Sequence, residues 1–252
     1  RLFDRVGRNI RLTEAGRVFL AEARAVLARA EAAGEVLADL AGLRRGSVRI
    51  AASQTVGNYW LPARLKAFRE AHPHLGVSLA IGNSEQVAAW TREGEADLGM
   101  VEGPVADPDL SPVEVGHDRM VLVLPRDHPV ARRGILNADA LTALTFVARE
   151  AGSGTGLMLE RLAKSFGLAP ADLRISMELP SNEALRSAVE AGAGAAVLSS
   201  LVAEGAVRSG QLSALELSLP PRPFFVLRHR ARHLSPAARA LLQALEVPAD
   251  AT

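Results

Sequence analysis

Three turns between predicted strands and helices carry side chains suited to binding an anion. They are Ser53-Gln54-Thr55, Gly152-Ser153-Gly154-Thr155-Gly156, and Ser181-Asn182. Each offers hydroxyl or amide groups beside free backbone N–H groups at a helix start, where the helix dipole favours negative charge. Ligands of open α/β sheets bind at the carboxyl ends of strands, so such turns can converge on one cleft. The pattern predicts a site for a small carboxylate or oxyanion. Taken singly, each turn is explained equally well by Ser and Thr acting only as helix caps.

The glycine-rich turn also raises the alternative of a dinucleotide-binding enzyme. It follows a strand and opens a helix, and Glu178 lies at the end of the next strand. Leu157, however, occupies the position of the third glycine in the dinucleotide-binding pattern. The match is therefore incomplete, and an enzyme is not the preferred interpretation.

The histidines form no recognisable metal or catalytic site. His72 and His74 flank Pro73, and His229 and His233 follow a strand among arginines, without carboxylate or thiolate company. The chain has no cysteine, which excludes thiolate ligands and Cys nucleophiles, and no Ser-His-Asp set is apparent from spacing. We predict no cofactor, no metal and no catalytic residue.

Composition and charge favour a cytoplasmic protein with two domains. The 252 residues are 48% hydrophobic and 23% charged, which is ordinary for globular proteins. The sequence shows neither a secretion signal nor an apolar run near the ~20 residues of a membrane helix, so we expect no membrane association. The net charge is +1, yet residues 1–50 hold ten Arg against six acids. This surplus suggests a polyanionic partner for that end of the chain.

A long helix is predicted from Thr13 to Gly42. Thr13 is a suitable N-cap, Glu14 lies in the first turn, and Gly42 supplies a C-terminal stop. Apolar and small residues recur inside it at alternating spacings of four and three, which indicates a heptad seam for dimerisation. The seam comprises Phe19, Ala23, Val26, Ala30, Ala33, Leu37 and Leu40. The alternative is a long amphipathic helix packed on its own domain, because alanine dilutes the seam.

From residue 47 onward, short runs of β-branched and small residues alternate with helical segments, which predicts an α/β fold. The predicted strands are 48–52, 77–81, 98–101, 120–124, 145–148, 175–179, 195–198 and 224–227. The predicted helices are 61–71, 86–93, 156–166, 182–191 and 236–245. This number of units suggests two lobes.

Several of these segments together resemble a LysR-type transcriptional regulator. The most specific part runs from Leu2-Phe3-Asp4-Arg5 through Arg11-Leu12-Thr13-Glu14-Ala15-Gly16. The heptad helix and the segment from Ala52 to Pro62 add to it. Weaker matches are 68–73, 95–99 and 127–129, so the resemblance spans the whole chain.

The resemblance implies that residues 1–12 are the wing remnant of a winged helix-turn-helix. Arg5, Arg8 and Arg11 match the wing and are expected to touch the DNA backbone. The family's recognition helix, which reads the major groove, has no counterpart in these residues. We therefore expect the 252 residues alone to bind operator DNA poorly.

The resemblance further implies that a linker and dimerisation helix, residues 13–43, leads into a two-lobed effector domain like a type 2 periplasmic binding protein. Lobe I would comprise 44–125 and 225–252, and lobe II 126–224, with hinge crossings near 124–126 and 225–227. The effector would lie between the lobes. By motif position, the family's effector contacts correspond to Ser53, Gln54, Thr55, Asn83, Ser84, Ser153, Gly154 and Thr155, with positive charge from Arg149.

The run from Arg149 to Thr155 is similar to the subgroup containing the sulfur-metabolism and carbon-fixation regulators, whose effectors are oxyanions or phosphorylated metabolites. Gly156 stands where that subgroup often has Arg, and Trp60 where Leu is common, so no effector is named. A periplasmic-type solute-binding protein shares two lobes but has no use for a wing and a heptad helix. We expect a homodimer or homotetramer in which a small anionic effector changes lobe closure or domain packing, and hence DNA binding.

Overall fold

The chain begins with a two-stranded ribbon. The computed structural model describes residues 1–6, 9–40 and 46–245. Within it, β1 (Phe3–Val6) pairs antiparallel with β2 (Asn9–Leu12). The partner of β2 therefore precedes it in the chain.

One long helix, α1 (Glu14–Leu40), follows the ribbon. The Thr13 hydroxyl accepts a hydrogen bond from the Gly16 N–H at 2.9 Å, so the predicted N-cap is confirmed. The predicted stop at Gly42 lies outside the described residues. The pairing of Arg24 with Glu95 connects α1 to the body of the chain.

The remaining elements alternate as an α/β fold, as predicted. The strands are β3 (Gly46–Ser53), β4 (Leu75–Gly82), β5 (Leu98–Glu102), β6 (Leu110–Asp118), β7 (Met120–Pro125), β8 (Thr145–Arg149), β9 (Arg174–Leu179), β10 (Ala196–Ser199), β11 (Leu212–Glu216) and β12 (Arg222–His229). The helices are α2 (Leu61–Ala71), α3 (Ser84–Glu93), α4 (Pro129–Arg133), α5 (Ala138–Ala143), α6 (Gly156–Ser165), α7 (Asn182–Glu190), α8 (Ser200–Arg208) and α9 (Pro236–Ala244). Among the helices in the described ranges, none is long and apolar enough to cross a membrane.

All eight strands and five helices predicted in this part of the chain are present. The strands β6 and β11 and the helices α4, α5 and α8 were not predicted. The strand β6 is interrupted by Pro112 and Gly116, residues that weaken the strand pattern but are tolerated at a sheet edge, where this strand lies.

The first sheet has five strands in the order β4-β3-β5-β12-β6. The strands β3, β4 and β5 are mutually parallel, whereas β12 runs antiparallel to both of its neighbours. Ile50 and Phe224 pack on one face with Leu241 of α9, and Ala51 packs on the other with Val87 of α3. Helices thus cover both faces, which explains why Val48, Ile50, Ala51 and Ala52 of β3 are all buried although successive residues point to opposite faces.

The second group of strands surrounds β7. The order β10-β7-β11 forms an antiparallel sheet, and β8 and β9 form a parallel pair. A parallel bridge from Phe146 to Ala195 joins the pair to the start of β10. Leu122 and Val123 of β7 point into separate cores on opposite faces of this sheet.

The chain crosses between the two sheets at different residues from those predicted. The strand β7 was assigned to lobe I, but it lies at the centre of the second sheet, so the first crossing falls between Asp118 and Met120. The return crossing falls between Glu216 and Arg222, earlier than the predicted 225–227. An apolar run reveals that a strand is buried on both faces, but not which sheet it joins.

A buried ion pair lies where the two crossings meet. Arg222 and Asp118 are paired in register on β12 and β6, and both side chains are almost completely buried. The Arg222 Nη2 lies 2.5 Å from Asp118 Oδ2 and its Nε lies 2.9 Å from Oδ1, which makes the contact bidentate. Glu102 Oε1 lies 3.7 Å from Arg222 Nη1. One guanidinium therefore lies between two buried carboxylates at the crossing and compensates one of their two negative charges.

Replacing Arg222 by Met is expected to lower the free energy of unfolding by about 3–5 kcal/mol, because it leaves both carboxylates buried without a partner. The matched control is Arg24→Met, whose ion pair with Glu95 is solvent-exposed and is worth roughly 0–1 kcal/mol. Urea denaturation followed by circular dichroism measures both changes. Equal losses in the two variants would contradict the structural importance assigned to the buried pair.

Candidate functional site

The carboxyl ends of parallel strands from both sheets meet at one place. Ser53 ends β3, Asn83 follows β4, Arg149 ends β8, and Ser181 lies just beyond β9. A peptide N–H to carbonyl hydrogen bond from Glu85 to Gly152, at 3.3 Å, joins the two sides. The three predicted turns therefore do face each other across the boundary between the sheets.

The Ser53 hydroxyl differs from the other hydroxyls of the turns in its hydrogen bonding. Its side chain is only 2% exposed, and its Oγ has no hydrogen-bond partner in the described part of the chain. A buried polar group without a partner costs about 1–3 kcal/mol, so the Ser53 hydroxyl requires an explanation, and a molecule that binds there would supply one.

Other polar groups in the turns are already engaged. The Ser181 hydroxyl accepts the Ala184 N–H at 2.9 Å and so caps α7. The Ser153 hydroxyl accepts the Thr155 N–H at 3.2 Å, and Asn83 caps α3 by accepting the Gln86 N–H at 2.9 Å. For Ser181, the simple capping explanation is sufficient.

Gln54 and Thr55 cross the boundary to meet α7. The Gln54 amide donates to the Pro180 carbonyl at 2.8 Å and accepts the Asn182 N–H at 2.8 Å. The buried Asn182 amide donates to the Thr55 hydroxyl at 3.1 Å. The first and third predicted turns are thus joined by direct hydrogen bonds, one between side chains and two between the Gln54 side chain and the backbone.

Arg149 is held by two partners beneath these turns. Its guanidinium donates to Asn182 Oδ1 at 2.5 Å and makes a bidentate contact with Glu150 at 2.7 and 2.8 Å. The Glu150 carboxylate also accepts a hydrogen bond from the Asn83 amide at 3.3 Å, across the boundary. The positive charge predicted at Arg149 is present but paired.

The glycine-rich turn approaches the first sheet closely. A Cβ on Gly154 would lie 2.7 Å from the Glu102 carbonyl oxygen and 3.1 Å from Ser84 Oγ. Glycine is therefore required here for contact between the two sides of the boundary. This role accounts for the glycine without the dinucleotide considered as an alternative.

Arg222 connects the strand crossings to the turns and was missed from the sequence. Its guanidinium donates to the Thr155 hydroxyl at 3.2 Å and to the Thr55 hydroxyl at 3.5 Å. Glu102 and Asp118, its ionic partners, and Glu150, the partner of Arg149, were also not predicted as site residues. The available signal was an arginine at the start of an otherwise apolar strand, where unpaired charge is costly.

Ser199 was not predicted either, because the helix that follows it was not predicted. It is fully buried at the carboxyl end of β10, which the Phe146–Ala195 bridge aligns in parallel with β8. Its carboxyl end therefore lies at the same edge as Arg149. Its hydroxyl accepts the Leu201 N–H at 3.2 Å and caps α8, a helix that the sequence analysis did not predict.

The α1 seam is exposed where the structure describes it. Phe19 is 55% exposed and Val26 is 68% exposed, Ala30 and Ala33 are also exposed, and Ala23 is half-buried. The side chains of Leu37 and Leu40 lie outside the description. This face is therefore not the packing surface that the alternative prediction required for Phe19 and Val26.

Two of the three expected DNA-backbone arginines lie on strands of the ribbon. Arg11 is exposed on β2, and Arg5 lies on β1 with its side chain outside the description. Arg8 lies outside the described residues.

A cleft of about 1200 Å³ lies between α1 and the first sheet. Its lining is rich in arginine, but Arg24 pairs with Glu95, Arg49 with Asp97, and Arg92 with Asp107. The pair of Arg24 and Glu95 connects α1 to the body of the chain, whereas the other two pairs lie within the body.

Comparison with known proteins gives a consistent result. The model of the LysR substrate binding domain matches residues 41–247. An uncharacterized HTH-type transcriptional regulator, YeiE of Escherichia coli strain K12, is 34% identical, covering 96% of this chain and 80% of the relative. The HTH-type transcriptional regulator CbbR of Rhodospirillum rubrum is 32% identical, with coverage of 98% and 82%.

Solved structures agree with these relatives. The regulatory domain of CcmR from Synechocystis PCC6803, in complex with 2-PG, is 30% identical, with a TM-score of 0.72, covering 80% of this chain and 96% of that one. CbnR, at 20% identity and a TM-score of 0.69, shares the fold over 93% of this chain and 81% of its own. The predicted resemblance is confirmed, and the matches indicate a regulator and not an enzyme: the chain belongs to the LysR family of transcriptional regulators.

Proposed function

We propose that this chain senses a small anionic metabolite or inorganic oxyanion at the boundary between the two sheets. The observation that carries the proposal is the buried, unpartnered Ser53 hydroxyl at the carboxyl end of β3. It lies on the side where the α6 and α7 turns meet the first sheet, and hydroxyl groups and helix N-termini suit oxyanions. The 2-PG bound by the Synechocystis CcmR domain supports a ligand at this kind of domain.

In this proposal the two sheets are the cores of two lobes. Lobe I comprises residues 46–118 and 222–245, and lobe II comprises 120–216, so the crossings replace the predicted boundaries at 125 and 225. The effector contacts come from Ser53, Gln54 and Thr55 on one side and from Arg149, Thr155 and Asn182 on the other. Asn83 and Ser84 complete the lobe I side, and Ser153 and Gly154 shape the opposite turn.

The regulator function follows from family membership. We infer that Arg5, Arg8 and Arg11 contact the phosphate backbone of DNA and that the α1 seam pairs two copies of the chain, in the cytoplasm where DNA is available. An effector that binds both lobes changes their closure, and α1 connects that change to the spacing of the DNA half-sites. A coupling of about 1–3 kcal/mol is sufficient for such control.

Replacing Ser53 by Ala tests the site. Without anion, the free energy of unfolding is expected to stay within about 0.5 kcal/mol or to rise, because the hydroxyl forms no hydrogen bond. Binding is expected to weaken by about tenfold or more, since a hydrogen bond to a charged ligand is lost. Thermal shift titrations with sulfate, inorganic phosphate and 2-PG measure the affinity.

The matched control is Ser235→Ala, which removes a hydroxyl that caps α9 by accepting the Ala238 N–H at 3.1 Å. It should lower stability by about 1 kcal/mol and leave anion affinity unchanged. The proposed site is wrong if Ser53→Ala binds the anions as tightly as the parent chain.

The seam has its own test. Val26→Glu is expected to raise the dimer dissociation constant by about tenfold or more, because a buried valine contributes roughly 1.5–3 kcal/mol. Val18→Glu is the control, because Val18 is similarly exposed at 63% but lies off the heptad seam. Sedimentation equilibrium distinguishes the two. Equal effects would assign dimerisation to another surface.

A further inference from the structure

The net charge of the ionic groups at the proposed site is negative, which is unfavourable for binding an anion. The two arginines beneath the turns and the carboxylates that they contact are Arg149, Arg222, Glu102, Asp118 and Glu150. Their formal sum is one negative charge. An incoming anion would therefore be repelled unless one carboxylate gives way.

Two of the three carboxylates are fixed in place. Asp118 and Glu102 have side chains exposed by 0% and 3%, and both lie on strands of the first sheet beside Arg222. Moving Asp118 would break the bidentate contact with Arg222 inside the protein, which is a large cost. Arg222 is thus not available to a ligand as a free charge.

The third carboxylate, Glu150, is more exposed to solvent than Asp118 and Glu102. It follows the last residue of β8, and its side chain is 24% exposed, so its carboxylate has a path to solvent. Its partner Arg149 has a side chain only 2% exposed, and Asn182 holds it from the other direction. The carboxylate can therefore leave while the guanidinium stays in position.

The contacts of Glu150 are those expected of a bound oxyanion. Its two oxygens accept bidentate hydrogen bonds from Arg149 at 2.7 and 2.8 Å, the geometry that guanidinium offers to carboxylates and phosphates. One oxygen also accepts from Asn83 of the opposite lobe at 3.3 Å. A single carboxylate thereby joins the lobes as an effector would.

We propose that Glu150 is a built-in competitor that occupies the anion position of Arg149 until an effector displaces it. The inference rests on the proposed function and specifies its ligand class. The effector presents at least two acceptor oxygens on one group, as a carboxylate, phosphoryl or sulfate group does, so that it replaces the contacts to Arg149 and Asn83. Ligands with a single acceptor cannot replace the bidentate contact and are rejected.

The ionisation of Glu150 is consistent with this role. Burial raises the pKa of the carboxyl, but the hydrogen bonds and charge of Arg149, with further hydrogen bonds from the Glu150 backbone and from Asn83, lower it, and the net shift is downward. The carboxylate therefore stays charged at neutral pH, where competition with an anion must take place.

Glu150→Gln tests the inference by removing the charge while keeping the shape. Sulfate and 2-PG are titrated into the dimeric chain by calorimetry. The variant is expected to bind at least one of them about tenfold more tightly than the parent chain, the size of a 1.4 kcal/mol change. Glu150→Ala removes the same charge and should show a gain in the same direction. Glu204→Gln is the matched control, since Glu204 pairs with Arg208 on the exposed face of α8, and its affinity should be unchanged.

The outcomes separate the two proposals. Tighter binding by both Glu150 variants supports the competitor, as does binding that appears only in the variants. If the parent chain binds anions and Glu150→Gln binds them equally or less tightly, the competitor is wrong and the proposed anion sensor stands. A gain in Glu150→Ala alone would indicate a steric effect and would also overturn it. If no variant binds either anion, both the competitor and the anion sensor fail.

Discussion

The buried contact of Arg222 with Asp118 is the constraint on which the rest of the structure depends. The chain leaves the first sheet after Asp118 and returns at Arg222, so this pair lies where the two crossings run side by side. Burying three charges is costly. The bidentate contact between Arg222 and Asp118, together with the nearby Glu102, offsets that cost only when both strands are correctly aligned. The pair therefore specifies the register of the crossing strands.

The same guanidinium extends this alignment to the functional turns. It donates to Thr55 on the first sheet and to Thr155 on the second, and Asn182 also contacts Thr55. A movement of one lobe relative to the other must change these hydrogen bonds. A ligand that binds one arrangement of the turns more tightly than the other shifts the equilibrium between the two arrangements. Regulation requires such a shift.

Much of this arrangement is predictable from local pattern. Strand runs followed by Ser, Thr or Asn located the turns, and the heptad spacing located the exposed seam with Phe19 and Val26. The ionic partners were not predictable in this way, because Arg222 and Asp118 are 104 residues apart and a charged residue next to a strand usually indicates solvent. The crossing was misplaced for a related reason, since the apolar run of β7 suits either sheet. The ionic partners and the position of the crossing both depend on pairing between distant segments, which the spacing of residues in the sequence does not reveal.

The central claim is that an oxyanion binds against Ser53 between the lobes. The most direct measurement is a crystal structure of the chain with selenate, whose selenium is located by anomalous scattering. The account predicts an anomalous peak placing one selenate oxygen within hydrogen-bond distance of Ser53 Oγ and two others at the Arg149 guanidinium, with Glu150 turned to solvent. Selenate bound instead in the cleft beside α1, with Ser53 untouched and Glu150 still on Arg149, would contradict it.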